Sequence, residues 1–290
     1  MHKPLIVGVD GSDPSLSALD WAADEAAARG VPLRVVHAWR WEQYASLEPG
    51  LGYSRPSLQS YADDIAATAV ERVERRQPAV PVTSTVVAED PVFALARLAE
   101  AAEALVVGSR GHGELAELLL GSVSLGVAAR AAVPVIVVRG APRQETGAVR
   151  AVAVGVDEPD AAAPAMEFAF REALLRTVPV TVVHAWRCPA QEVPDHPRAA
   201  SDDHRRRAEG QVEGALKAVV HAHPEFADVT VRRDITEGTA RSALLDASRT
   251  AGLLVVGARR RKGHLGMQLG LVNHGVLHHA SCPVAVVPHD

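Results

Sequence analysis

An internal repeat constrains this chain more than any other feature. Val35-Val36-His37-Ala38-Trp39-Arg40 returns as Val182-Val183-His184-Ala185-Trp186-Arg187, 147 residues later. The same offset lays Val7-Gly8-Val9-Asp10 on Val154-Gly155-Val156-Asp157, and an offset of 149 lays Leu105-Val106-Val107-Gly108 on Leu254-Val255-Val256-Gly257. Val133-Pro134-Val135 matches Cys282-Pro283-Val284 in the same way. Recurrence of several blocks at nearly one spacing marks a duplicated folding unit, and the small slip marks a short insertion between blocks. At 290 residues the chain also exceeds the roughly 100 to 200 residues of a single domain. The expected domains are 1–143 and 148–290. They are joined across Gly140–Gly147, a polar stretch with glycine at both ends and Pro142 inside, which has the composition of a connector.

Within the first copy, apolar runs at Leu5–Val9, Leu33–Trp39, Val82–Ala88, Leu105–Val107 and Val135–Val138 alternate with helical stretches. Valine and alanine dominate and aromatics make up only 4%, which suits strands buried on both faces beneath small-residue helices. Right-handed crossovers then require α/β units: two tandem open parallel five-stranded sheets with helices on both faces, Rossmann-like, with ligands at the carboxyl ends of the strands. Asp13 is the expected cap of the first helix, with Pro14 in its first turn and Gly30 as its stop. The second helix, around Leu58–Arg76, is expected to bury the stripe Leu58, Tyr61, Ile65, Thr68, Ala69 and Val73.

A net charge of −5 offers no basic footprint for nucleic acid. Met1-His2-Lys3-Pro4 runs straight into a short strand, and no apolar run reaches the length of a membrane span, so a soluble cytoplasmic protein is expected. Cys188 and Cys282 stand far apart in no CxxC pair, which excludes a disulfide scaffold and a cysteine zinc site.

The chemistry-bearing segment follows the fourth apolar run. Val107-Gly108-Ser109-Arg110-Gly111-His112-Gly113 leads to Gly121-Ser122 and a helix expected to reach about Ala131, in the spacing Gly-x2-Gly-x9-Gly-Ser. Glycines let backbone approach a ligand, and a helix N-terminus presents free amides to phosphate. Asp10 and Ala38 fall at neighbouring strand ends. This pattern resembles the ATP-binding branch of the universal stress protein family, in a tandem two-domain form with the adenine nucleotide alpha hydrolase-like fold. The resemblance implies that Asp10 and the Ala38 backbone hold adenine and that Gly108 lies by the ribose. It also implies that Gly111, Gly121, Ser122, Val123 and Ser124 surround the phosphates of ATP, with or without Mg or Mn. Asp10-Gly11-Ser12 is equally ordinary turn chemistry.

No Gly-Lys-Ser/Thr follows the glycines, so this is not a Walker A loop, and neither His112 nor any carboxylate stands out as a general base. A nucleotide-dependent sensor or regulator with an unidentified protein partner is expected, with weak ATPase activity at most. Slow ATP hydrolysis and a nucleotide-independent interaction module are the rivals. The resemblance further suggests pairing of the final strands, Val135–Val138 and Val284–Val287, as an intramolecular pseudo-dimer, with a homodimer of chains as the alternative.

In the second copy Asp157 persists, but Glu158-Pro159 replaces Gly11-Ser12. Arg260 stands at the Gly111 position, Lys262 at Gly113, Gly270 at Gly121 and Leu271 at Ser122. A degenerate nucleotide site is expected there, and the run Arg259–Lys262 is expected to be a solvated face rather than an anion grip. His274 and His278, four apart on the last helix, are read as exposed rather than metal-binding. The recurring His37 and His184 are read as scaffold.

Overall fold

The computed structural model describes residues 3–40, 55–111, 120–139, 150–187, 197–259 and 269–289. The chain divides into two compact units, Met1–Arg143 and Gln144–Asp290.

The first unit contains β1 (Leu5–Gly8), α1 (Asp13–Arg29), β2 (Leu33–Ala38), α2 (Arg55–Arg76), β3 (Val82–Val87), α3 (Pro91–Ala99), β4 (Ala104–Gly108), α4 (Ser122–Ala128) and β5 (Val135–Val138). Its strands are parallel and lie side by side in the order β3-β2-β1-β4-β5, with Leu5 opposite both Leu33 and Ala104. β1, β4 and β5 are buried along their whole length, as expected of strands covered on both faces. The chain moves outward from β1 to β3, then returns to the other side of β1. Its helices therefore pack as two pairs, α1 with α2 and α3 with α4.

The second unit repeats this with β6 (Val152–Gly155), α5 (Pro159–Arg176), β7 (Val180–Trp186), α6 (Pro197–Ala222), β8 (Val231–Glu237), α7 (Ala240–Ser248), β9 (Leu253–Arg259), α8 (Leu271–His279) and β10 (Val284–His289). Its sheet has the matching order β8-β7-β6-β9-β10, again parallel. Two parallel five-stranded sheets were expected, and in the first the five strands fall on the five apolar runs.

Two sequence expectations change. The cap of α1 is Ser12, not Asp13: Ser12 has extended backbone and its hydroxyl accepts the Ser15 N–H, which leaves Asp13 as a first-turn acid. The face of α2 is also rotated. Leu58, Ala62, Ala66, Ala69 and Val73 are buried, whereas Tyr61 is 51% exposed and Thr68 faces solvent. Alanine lets the helix lie close to its neighbours, and Tyr61 and Thr68 fall outside the buried stripe. The charged flank then reaches α1. Arg72 donates two hydrogen bonds to Asp20, at 2.6 and 2.7 Å, and Arg76 donates two to Asp24, at 2.8 and 2.6 Å.

The repeat also duplicates details inside the helices. Glu25 is buried and paired with Arg29 at 2.6 Å, and the equivalent Glu172 is buried and paired with Arg176. His37 donates from Nδ1 to the Val9 carbonyl at 2.8 Å, and His184 does the same to Val156 at 2.7 Å. A carbonyl can only accept, so both rings hold their proton on Nδ1. Each histidine clips the end of one strand to the next, which is the scaffold role expected of them. At the helix stop the left-handed backbone repeats but the residue does not: α1 stops at Gly30 with φ 65°, while α5 stops at Thr177 with φ 54°. A β-branched residue is disfavoured in the left-handed region. Thr177→Gly is therefore expected to raise stability by about 1 kcal/mol and Gly30→Thr to lower it by a similar amount, measured by urea unfolding.

Burial of Asp24 works against its charge, but hydrogen bonds from Arg76 and Gln77 outweigh it and hold the carboxyl below its ordinary 3.8. A carboxyl lowered on folding adds stability above its unfolded value, and that stability is lost as pH falls through the folded value. Between about pH 4 and pH 2 the wild type should therefore lose stability more steeply than Asp24→Asn. Parallel urea-midpoint curves for the two proteins would contradict this.

Candidate functional site

In the first unit, β1 and β4 are neighbours from which the chain departs towards opposite edges of the sheet. Their carboxyl ends therefore open the crevice at which sheets of this kind take ligands. Asp10 stands at that point, just after β1. One carboxylate oxygen accepts from the Ser12 N–H at 3.0 Å and from the Ser12 hydroxyl at 2.6 Å, and the Asp10 N–H donates to the Ser15 hydroxyl at 3.3 Å. Gly11 between them has φ 87°, a conformation glycine adopts without strain. Asp10 is thus a turn former, as the ordinary reading of Asp-Gly-Ser required.

Its other carboxylate oxygen points to the cradle, where a Cβ placed on Gly111 would lie 2.3 Å from it. The structure thus brings Asp10 and Gly111 together. Ala38 ends β2, one strand over. Val9 N–H bonds the Val36 carbonyl at 2.9 Å, so the same register sets Asp10 level with Ala38.

The remaining cradle residues serve different needs. A Cβ on Gly108 would lie 2.6 Å from the Pro14 carbonyl oxygen and 3.0 Å from the Ser15 nitrogen. Glycine is required there by the first turn of α1, whatever else the backbone touches. Ser109, buried, donates its N–H to Val138 at 2.8 Å, and its carbonyl accepts the Gly121 N–H at 2.8 Å, which returns the chain to the strand end. Gly121 precedes α4 without any side-chain cap. The first intrahelical bond is Leu125 N–H to Gly121, so the amides of Ser122, Val123 and Ser124 lie before it. Ser122 is exposed and Val123 half-buried. Ser124 is buried and its hydroxyl donates to the Gly108 carbonyl at 2.6 Å. α4 ends at Ala128, a turn short of the expected Ala131. His112 and Gly113 lie outside the described residues.

These residues fit a nucleotide in their donor chemistry. Uncapped first-turn amides and an exposed hydroxyl suit an anionic group, and the strand-end carboxylate suits a hydrogen-bond donor. Among the described residues, no group of three or more His, Cys, Asp or Glu side chains is arranged to hold a metal ion.

The second unit carries the same frame with different residues at its strand ends. Asn273, at the Ser124 position, donates to the Gly257 carbonyl at 2.8 Å, so the latch between helix and strand survives the change of residue. Pairing of the central strands, however, runs further. β4 and β5 end at Gly108 opposite Val138, whereas β9 and β10 continue through Ala258 opposite Pro288 and Arg259 opposite His289. The His289 ring lies against Gly257, with Cδ2 3.3 Å from where a Cβ would be. Glu158, in the place of Gly11, meets Arg259 at 3.7 Å, and Asp157 is exposed. Leu271, in the place of Ser122, is 92% exposed at the start of α8. Arg260, Arg261 and Lys262 lie outside the described residues.

His274 is exposed as expected, but His278 is half-buried; the two rings lie 4.4 Å apart. Burial pushes the Cys282 thiol up to about 12, so it is protonated and inert at neutral pH. Cys188 lies outside the described residues. Three residues bearing on the first site went unnoticed in the sequence. Ser12 and Ser15 bind Asp10, and half-buried Arg139 follows β5. Ser12 had a usable signal, because its counterpart is Pro159, which has no hydroxyl.

Two successive parallel sheets with strand order 3-2-1-4-5, each with its crevice beside the first strand, define a tandem Rossmann-like α/β protein. Comparison with known proteins agrees. The model of the universal stress protein family matches residues 1–139 and again 148–288. Universal stress protein Rv2005c of Mycobacterium tuberculosis is 34% identical over 298 residues, covering 99% of each chain. Universal stress protein Rv2623 of the same organism is 32% identical over 287 residues, covering 97% of this chain and 95% of its own. A crystal structure of a universal stress protein from Archaeoglobus fulgidus matches with a TM-score of 0.72 at 20% identity, over 100% of both chains, a likeness of fold. The chain belongs to the universal stress protein family, with two such domains in tandem. Among the described residues, no helix is long and apolar enough to cross a membrane.

The two strand-end glycines should respond differently to substitution. Gly108→Ala drives a methyl into rigid backbone and is expected to cost about 2–3 kcal/mol. Gly257→Ala meets only the movable His289 ring and should cost about 1 kcal/mol or less. Urea unfolding of the full chain with each variant measures both.

Proposed function

We propose that the first unit binds ATP and that the second has lost this ability, so that the chain acts as a nucleotide-dependent sensor or regulator in the stress response. One observation carries the reading. Asp10, Gly111 and the uncapped start of α4 meet at the carboxyl ends of β1 and β4. In the second unit Arg260 and Leu271 stand in the places of Gly111 and Ser122, Glu158 contacts Arg259, and the His289 ring lies against Gly257. Adenine against Asp10 and the Ala38 backbone, ribose by Gly108, and phosphates along Gly111, Gly121, Ser122, Val123 and Ser124 is the arrangement this supports. A divalent Mg or Mn would then be held mainly by the phosphates. The cradle has no lysine to meet the terminal phosphates, which favours retention of nucleotide over turnover. Occupancy would favour one arrangement of the cradle over others and so alter the surface offered to a protein partner.

The direct test is mass spectrometry of ligand released from native protein, followed by titration calorimetry with ATP. One nucleotide per chain is expected, not two. Gly121→Arg should abolish binding, Ser122→Ala should weaken it about tenfold, and Gly270→Arg should leave it unchanged. Equal losses from the two arginine variants would refute the asymmetry between the units.

A further inference from the structure

β3 is the outermost strand of the first unit, and its open edge carries no charge. It reads Val82-Thr83-Ser84-Thr85-Val86-Val87, with Thr83 and Ser84 exposed and the rest half-buried. Leu33 N–H bonds the Pro81 carbonyl at 2.9 Å, and Trp39 N–H bonds the Val87 carbonyl at 3.0 Å. In a parallel pair every second residue turns both its N–H and its C=O to the neighbouring strand, so residues 81, 83, 85 and 87 bond β2. The backbone groups of Val82, Ser84 and Val86 therefore point away from the sheet, and among the described residues no strand pairs with them. An edge strand without charge or proline is a template onto which another strand can add.

β8 is the matching edge of the second unit, and there the same positions are charged. Aligning Leu33 with Val180 sets Val82 on Val231, Thr83 on Arg232, Ser84 on Arg233 and Thr85 on Asp234. Arg233 is also paired with Glu213 of α6 at 2.6 Å. Charged side chains are a common protection of edge strands. One frame, used twice, thus guards one of its edges and leaves the other open.

We propose that the β3 edge joins two copies of this chain, as an antiparallel β3–β3 pair centred on Ser84. The edge is complementary to itself. A two-fold axis at Ser84 sets Val82 against Val86 of the second copy, Ser84 against Ser84, and Val86 against Val82. All three outward residues then fall at hydrogen-bonded positions of the antiparallel ladder, so each outward N–H and C=O gains a partner. Thr83 meets Thr85 in the closer pairs between them, a favourable cross-strand match, and no like charges face each other. The outward residues read Val-Ser-Val in both directions, which is the pattern an isologous partner requires. Centred in the same way, β8 would set Arg233 against its own copy. β3 lies two strands away from β1, at the far side of β2, and the association needs no nucleotide.

Sedimentation velocity of the full chain over about 1–200 µM tests this: a monomer–dimer equilibrium is expected, with Kd on the order of 10 µM for a small polar interface. Ser84→Lys places like charges opposite each other, and Ser84→Pro removes an outward N–H without touching a bond to β2. Each should weaken association at least about tenfold while thermal melts stay close to wild type. Ser84→Thr should dimerise as the wild type does. If Ser84→Pro fails to fold, Ser84→Lys, substituted at an exposed side chain, decides the matter. In a Cys188→Ser background, Ser84→Cys should give a disulfide-linked dimer on mild oxidation, because residues so paired stand about 5.5 Å apart at Cα. A wild type that stays monomeric at about 200 µM overturns the proposal. So does a dimer that survives Ser84→Lys unchanged, since it must form through another surface, and failure of Ser84→Cys to cross-link overturns the two-fold at Ser84.

Discussion

The pairing of β1 with β4 is the constraint on which the rest of the molecule depends. Leu5, Ile6 and Val7 lie opposite Ala104, Leu105 and Val106, although β2 and β3 intervene in the chain. To make that pair the chain must return across β1. The return sends α1 with α2 and α3 with α4 into separate pairs and leaves the ends of β1 and β4 without a connection running over them. A crevice is the geometric residue of that reversal. Each unit makes one, through β1 and β4 or through β6 and β9.

Small residues turn this topology into a site. Gly108 admits the first turn of α1 against the end of β4, and Gly111 admits the Asp10 carboxylate. A larger residue at either place would push the helix or the carboxylate out of the crevice. Ser124 then ties α4 to the Gly108 carbonyl. Asn273 makes the same tie in the second unit, where Ser122 has become Leu271. The latch belongs to the frame and the exposed hydroxyl does not. This separates two serines that the spacing alone had grouped together.

The parallel five-stranded form and the strand positions of the first copy were legible because they depend on hydrophobic runs and on the repeat, which the chain states twice. The buried face of α2 was less so. Its core contacts are made largely by alanine, whose weak apolar signal let Tyr61 and Thr68 stand in for Ala62 and Ala66. The cap at Ser12 was hidden by the neighbouring Asp13, an equally good capping residue by type. The substitutions at Glu158 and Leu271 led to the expectation of a degenerate second site. They said nothing of how its strands end, because continuation of β9 and β10 and the seat of His289 depend on backbone register. A valine-rich run reads the same whether its last residues pair or part.

The two units thus answer one geometric problem with different chemistry. In the second, β9 and β10 stay paired as far as Arg259 and His289, an imidazole rests on Gly257, and the Glu158 carboxylate meets Arg259. In the first, Gly11 withholds the carboxylate, pairing stops at Gly108 and Val138, and a second arginine stands where the other unit has proline. These differences all lie at the same strand end of the repeated frame. Strand register and helix packing fix the frame in both units, whereas the residues just beyond the last paired positions carry little of that packing and so could diverge.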